Sequence, residues 1–188
     1  MLAFDAGGLV QTAPSSGEEI KRRVRDLQAQ IVRMSEDVRK IAHQLHPSIL
    51  EDLGINAALC QLCEEFSTRT GIVATYEQQT LPEAIPMEVA SCLYRVAQEA
   101  LHNVSKHARA SRVRLMLKRS PDGVRLDIHD NGAGFHLKAG KWEHGIGIVS
   151  MKERARLVEG EFSIHSQPGQ GTEVRVFVPL PKEALRPP

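Results

Sequence analysis

Glu99, Asn103 and His107 recur every fourth residue in the stretch YRVAQEALHNVSKH, residues 94–107. At about 100° per helical residue, a helix stacks them on one ridge. The amide oxygen of Asn103 suits Mg²⁺, which takes few protein ligands beside phosphates and waters. Glu99, one turn earlier, can orient a metal-bound water or act as a base, and Lys106 and His107 can meet phosphates. Further along, Asp130 ends an apolar run and enters Asn131-Gly132-Ala133-Gly134. A carboxylate there can accept a hydrogen bond from an exocyclic amine such as that of adenine. Gly132 and Gly134 let the backbone turn tightly toward a flat ring. Gly145-Ile146-Gly147 precedes a helical pattern, and amides at a helix N-terminus bind anions such as phosphate. A third glycine turn, Gly169-Gln170-Gly171-Thr172, follows. Each motif alone reads better as a solvated helix face, a strand-end turn or a helix entry. In this order and spacing they point together to a nucleotide site.

The elements that must position these residues follow from periodicity. Ala90, Leu93, Ala97, Leu101 and Val104 give the helix over 87–107 an apolar face that the Glu99 ridge borders, so the ridge should be half-buried. Strands are expected over 72–77, 112–118, 124–129 and 173–178. In the last three, apolar residues alternate with charged or polar ones, the pattern of a sheet covered on one side. Pro121-Asp122-Gly123 is a hairpin turn, 147–158 is a helix with Gly160 as its stop, and another helix covers 55–70. The loop from Gly134 to Gly145 is glycine-flanked and polar, as a ligand-ordered lid would be. In the N-terminal part, Ile20, Val24, Leu27, Ile31, Met34, Val38, Ile41 and Leu45 alternate in steps of four and three. That is the a/d seam of a coiled-coil or bundle helix, and it ends before Pro47. The fold class is therefore α/β: a two-layer sandwich, mixed sheet below and helices on one face, preceded by a bundle helix. The domain reading is 1–17 irregular or the remnant of a first bundle helix, 18–53 bundle helix and connector, 54–182 nucleotide-binding domain, and 183–188 tail.

Composition excludes several classes. The 188 residues carry a net charge of +1, which gives no bulk attraction to nucleic acid or anionic membrane. No apolar run approaches the roughly 20 residues that span a bilayer, and the N-terminus lacks the basic start of a secretory signal. A cytoplasmic location is expected, including that of the cytoplasmic part of a longer, membrane-anchored protein. Cys60 and Cys63 form a CxxC, but no second ligand pair at zinc spacing follows. Both read as small apolar core residues.

The combined motifs resemble the ATP-binding domain shared by sensor histidine kinases, DNA gyrase-type topoisomerases and mismatch-repair ATPases. Glu99 and Asn103 match its N box, Asp130–Gly134 the first glycine box, Gly145–Gly147 the second, and Gly169–Thr172 the last. QEALHNVSKHARA and GIGIVSMKERARLVEGEFSIHSQPGQGT are similar to the histidine-kinase branch of the nitrate-sensor type, over roughly residues 30–180. The resemblance implies a Bergerat-type fold, ATP and Mg²⁺ as ligands, and phosphorylation of a histidine on a dimeric helical bundle. It also implies a response regulator as partner and a homodimer through that bundle, with no nucleic-acid or direct membrane contact. It places Glu99 as catalytic, Asn103 as metal ligand, and Asn103, Lys106, His107, Asp130, Gly132, Gly134, Gly145, Ile146, Gly147 and Thr172 around the nucleotide.

One departure matters. In that branch the accepting histidine is followed by an acidic residue. Here the nearest lookalike is His43-Gln44-Leu45-His46-Pro47, with no carboxylate after either histidine and a helix-breaking proline at its end. The stretch DVRKIAHQLHPSILEDLGINAAL resembles instead the second bundle helix and its link to the catalytic domain. The acceptor is therefore expected to be absent and the chain a fragment or natural truncation. Two rivals remain. A serine kinase of the anti-sigma-factor type has the same fold but no such bundle helix. A non-catalytic dimerisation or partner-binding module would not need Glu99, Asn103 and Asp130 together.

Overall fold

The computed structural model describes residues 48–82, 85–136, 146–181 and 184. The expected bundle helix and its seam, the histidines at 43 and 46, most of the 134–145 loop and most of the expected tail lie outside the described residues. What is described belongs to one compact unit, Ser48–Pro188.

Helix α1, Ser48–Thr70, starts earlier than its apolar pattern suggests. Gly54 takes φ 75° and ψ 172° inside it, so the expected connector is itself helical and the chain kinks where the expected helix begins. Only glycine adopts that conformation at little cost. Gly71 closes the helix, donating to the Ser67 carbonyl at 2.9 Å, and strand β1, Val73–Gln79, follows. The Pro86 carbonyl receives the Ala90 amide at 2.9 Å and opens α2, Met87–Asn103. The chain then makes a π-helical turn over Val104–Ala108 and leaves it through Arg109 in the left-handed region, φ 51°. Strands β2, Arg112–Ser120, and β3, Gly123–Asp130, form a hairpin. Ser120 pairs with Gly123 across the two-residue turn Pro121-Asp122. Helix α3, Ile146–Leu157, leads to β4, Glu161–Ser166, a strand that alternation had not singled out. Strand β5, Thr172–Pro179, completes the fold.

The stop after α3 differs from expectation. Glu159, not Gly160, holds the left-handed conformation at φ 56°. Gly160 donates to the Ala155 carbonyl at 2.8 Å. It must be glycine because a Cβ would come within 2.7 Å of the Phe177 carbonyl oxygen. Packing against β5 therefore selects this glycine, rather than its own dihedrals.

The five strands run in the order β1-β2-β3-β5-β4. β1 pairs parallel with β2, and the other pairs are antiparallel, so the sheet is mixed as expected. Leu115, Leu117, Val124, Leu126, Ile128, Val174, Val176 and Val178 are buried on one face. Against them α2 packs Leu93, Val96, Ala97 and Leu101, while α1 supplies Leu59 and Phe66, and α3 Met151 and Ala155. At about 25 cal/mol per Å² of apolar surface removed from water, this layer is the main stabilising term. The other face carries ion pairs, including Lys118 Nζ at 2.9 Å and Arg125 Nε at 3.1 Å from the Asp127 carboxylate. The core reading holds for Cys63, which is buried, but not for Cys60, which is exposed; the two are only about 60° apart around the helix, and Cys60 falls just past the edge of its apolar face.

Candidate nucleotide site

The site lies at one end of the covered face, where strand ends, α2 and α3 surround a cavity of ≈ 390 Å³. α2 and its π turn supply Ala100, Asn103, Val104, His107 and Ala108. The sheet supplies Ile128, Asp130, Ile164, Thr172 and Val174, and α3 supplies Ile148 and Met151. Gly134 and Phe135 complete the wall. The cavity is thus a mainly apolar slot with a few polar groups, the form expected for a flat heterocycle.

Asp130 is the buried carboxylate of this slot, 5 % exposed. The Gly132 amide donates to its Oδ1 at 2.8 Å. Burial pushes its pKa above the ordinary carboxylate value, against the amides of Gly132 and Thr172 and the nearby His129, which pull it down. A carboxylate held out of water in this way gains from any ligand N–H that replaces lost solvent. Asn131, the next residue, fixes the turn from outside the cavity. Its Oδ1 accepts from the amides of Ser111 at 3.1 Å and Arg112 at 2.9 Å, and its Nδ2 donates to Ser111 Oγ at 2.9 Å.

The expected site residues fall into groups. Asn103 and His107 both line the cavity. Asn103 is half-buried, but His107 is exposed, contrary to a uniformly half-buried ridge. The π turn is the cause, since an i→i+5 turn rotates residues after Val104 away from the straight α-helical ridge. Glu99 is half-buried and backs onto Gly147, where an added Cβ would collide with its carboxylate. Lys106 is exposed on the π turn and outside the cavity lining. Gly132 is pressed against the Ala108 backbone, while Gly134, at φ 58°, lines the cavity. Gly145 lies outside the described residues, and Ile146 opens α3. Thr172 lines the cavity and pairs across the sheet with Asp130.

Sequence reasoning missed Phe135 and Ser166. Phe135 sits just past the glycine turn and shows no periodic signal. Ser166, at the end of the unanticipated β4, is buried and hydrogen-bonded to Phe135, Gly171 and Thr172. A hydroxyl where strand alternation asks for an apolar residue was the available clue.

The sequence that builds this slot around a buried aspartate matches a family model. Residues 88–182 fit that of the histidine kinase-, DNA gyrase B- and HSP90-like ATPases. The chain belongs to this family. It is 32 % identical over 166 residues to the signal transduction histidine-protein kinase/phosphatase DegS of Brevibacillus brevis, covering 88 % of this chain and 43 % of DegS. It is 38 % identical over 153 residues to the sensor histidine kinase MctS of Rhizobium johnstonii, covering 80 % and 32 %. With the oxygen sensor histidine kinase NreB of Staphylococcus carnosus it shares 34 % over 148 residues, 79 % and 43 %. The chain thus spans less than half the length of these curated relatives. Among solved structures, the blue-light activated histidine kinase of Erythrobacter litoralis EL346 superposes with a TM-score of 0.60 at 22 % identity, covering 87 % of this chain and 62 % of that one. The ATP binding domain of PrrB from Mycobacterium tuberculosis gives 0.53 at 24 %, covering 68 % and 94 %. These two likenesses concern the fold. Among the described residues no helix is long and apolar enough to cross a membrane.

Proposed function

We propose that this chain is the ATP-binding catalytic part of a two-component sensor histidine kinase. In this reading it presents the γ-phosphate of Mg²⁺-ATP to a histidine on a dimerisation bundle, for relay to a response regulator. The buried Asp130 carboxylate at the end of an apolar slot carries the reading, supported by family membership and by the sensor kinases among its relatives. Adenine enters between the sheet and α2–α3, and its exocyclic amine donates to Asp130. The phosphates extend toward the π turn, where His107 and Lys106 lie, and toward the N-terminus of α3 at Ile146.

Among the described residues no group of three His, Cys, Asp or Glu side chains is placed to hold a metal. Asn103, half-buried in the cavity lining, offers the amide oxygen that would serve as protein ligand of an ion held mostly by phosphates and water. Bound Mg²⁺ would neutralise charge developing on the phosphates. Glu99, braced by Gly147, orients a water or receives a proton beside it. Positioning and charge complementarity supply the acceleration, as in other phosphoryl transfers.

Calorimetric titration tests the ligand assignment. Asn103→Ala should weaken Mg²⁺-ATP binding by about tenfold or more, with little effect on metal-free ATP. Equal losses in both would remove Asn103 from the metal. Transfer is tested with γ-labelled ATP. Acid-labile label is expected only when a bundle helix with an acid-flanked histidine is supplied. Label on this chain that vanishes in His43→Ala or His46→Ala would contradict the proposed source of the acceptor.

A further inference from the structure

Three residues form a row across the covered face. Asp130 of β3 is the register partner of Thr172 of β5, and Thr172 is the register partner of Ser166 of β4. Register partners share a face, so the polar row is continuous from the slot to the far edge strand. Ser166 is 9 % exposed. Its Oγ receives the Phe135 amide at 2.9 Å, donates to the Gly171 carbonyl at 2.9 Å and lies 3.0 Å from Thr172 Oγ1.

A hydroxyl has one proton and two lone pairs. A carbonyl oxygen can only accept, so the Ser166 proton is committed to Gly171. The Phe135 amide can only donate, so one Ser166 lone pair is committed to it. The contact to Thr172 is then satisfied in one direction: Thr172 Oγ1 donates and the second Ser166 lone pair accepts. This leaves Thr172 with lone pairs and no proton for the cavity. Its neighbour Asp130, when ionised, is also an acceptor.

We infer that Ser166 is a specificity-determining positioning residue that fixes Thr172 as a hydrogen-bond acceptor, so that the slot selects a ring edge bearing an amine over one bearing a carbonyl. The inference rests on the nucleotide reading above and adds a residue that does not itself line the cavity. A 6-aminopurine brings two N–H groups to the two acceptors. A 6-oxopurine brings an oxygen that meets lone pairs, and a site left with unpaired or opposed polar groups discriminates strongly.

The test is titration of the full chain with ADP and with inosine diphosphate. The unaltered protein should favour ADP. In Ser166→Ala the Thr172 proton is released and can turn to a 6-oxo group, so the ADP-to-IDP affinity ratio should fall about tenfold. Ser166→Thr keeps the hydroxyl and should hold the original ratio. Thr172→Val should lower the ratio by itself, and adding Ser166→Ala to it should change the ratio no further. Parallel loss of both ligands in Ser166→Ala, with the ratio kept, would overturn the inference and leave nucleotide binding standing. A ratio that still moves in the Thr172→Val background would overturn it too. Binding of neither ligand by the unaltered protein would instead remove the nucleotide reading, and this inference with it.

Discussion

At Asp130 burial and ionisation oppose each other. Burial raises its pKa, so the folded chain holds the proton more tightly than the unfolded chain does. The stability this contributes is fully present below the ordinary Asp value and is lost as pH rises through the raised one. As pH rises past the ordinary carboxylate range, ionising Asp130 in the ligand-free protein works against its burial, and the Gly132 and Thr172 amides offset this only in part. Asp130→Asn should stabilise the ligand-free protein at pH 7 relative to the original, with the gap closing as pH drops below the ordinary carboxylate range. Urea denaturation at several pH values measures this, and a gap independent of pH would contradict it. The same variant should bind ATP roughly ten- to a hundredfold more weakly, since an amide can present a donor where the amine needs an acceptor. Gly147 makes a different kind of point. A Cβ there strikes only the mobile end of Glu99. Gly147→Ala should cost less than about 1 kcal/mol of stability while displacing the Glu99 carboxylate, and on the proposed function it should slow transfer to a supplied acceptor helix. Thermal denaturation and transfer assays on one preparation separate the two effects. At Gly171, by contrast, φ is 75° and a Cβ would enter the Asp130 backbone. Gly171→Ala should lose about 2 kcal/mol or more.

The elements were legible wherever one periodicity ran unbroken. The alternation in β2, β3 and β5 and the apolar stripe of α2 gave their faces correctly, because burial on one side imposes a period of two or of 3.6. Three features escaped for separate physical reasons. β4 alternates as Phe162, Ile164 and Ser166, and the hydroxyl at its end interrupts the apolar series. The π turn leaves no compositional mark, since it is selected by where the chain must go after Val104. Asp130 and the glycine turns were visible as types, but their grouping with Phe135 and Ser166 depends on pairing between strands far apart in the chain. Asn131 belongs to this scale, since it ties the exit of the π turn to the end of β3. Removing its three hydrogen bonds in Asn131→Ala should destabilise the fold by about 1–3 kcal/mol. Chemical denaturation reads this directly, and a change within about 0.5 kcal/mol would mean that the turn holds without the side chain.

At the scale of the molecule the slot is not a feature of one loop. α2, α3, β3, β4 and β5 all contribute to its walls, so a nucleotide that fills it ties together elements from most of the described chain. Ligand at a hundred times its Kd should add about 2.7 kcal/mol to the unfolding free energy, visible in calorimetry as a single transition that climbs with ligand concentration. A separate transition that ignored the ligand would show that some of these elements fold independently of the slot. The sheet order also has a consequence for how the chain assembles. β2 and β3 meet across Pro121 and Asp122, whereas Val73 of β1 finds Arg112 of β2 only after the whole of α2 has been made. Closing the distant pair costs more chain entropy and comes later. Until then the outer edge of β2 stands unpaired, and the β1 of a second molecule fits it as well as its own. Refolding yield should therefore fall with protein concentration, through molecules that have exchanged their first strands.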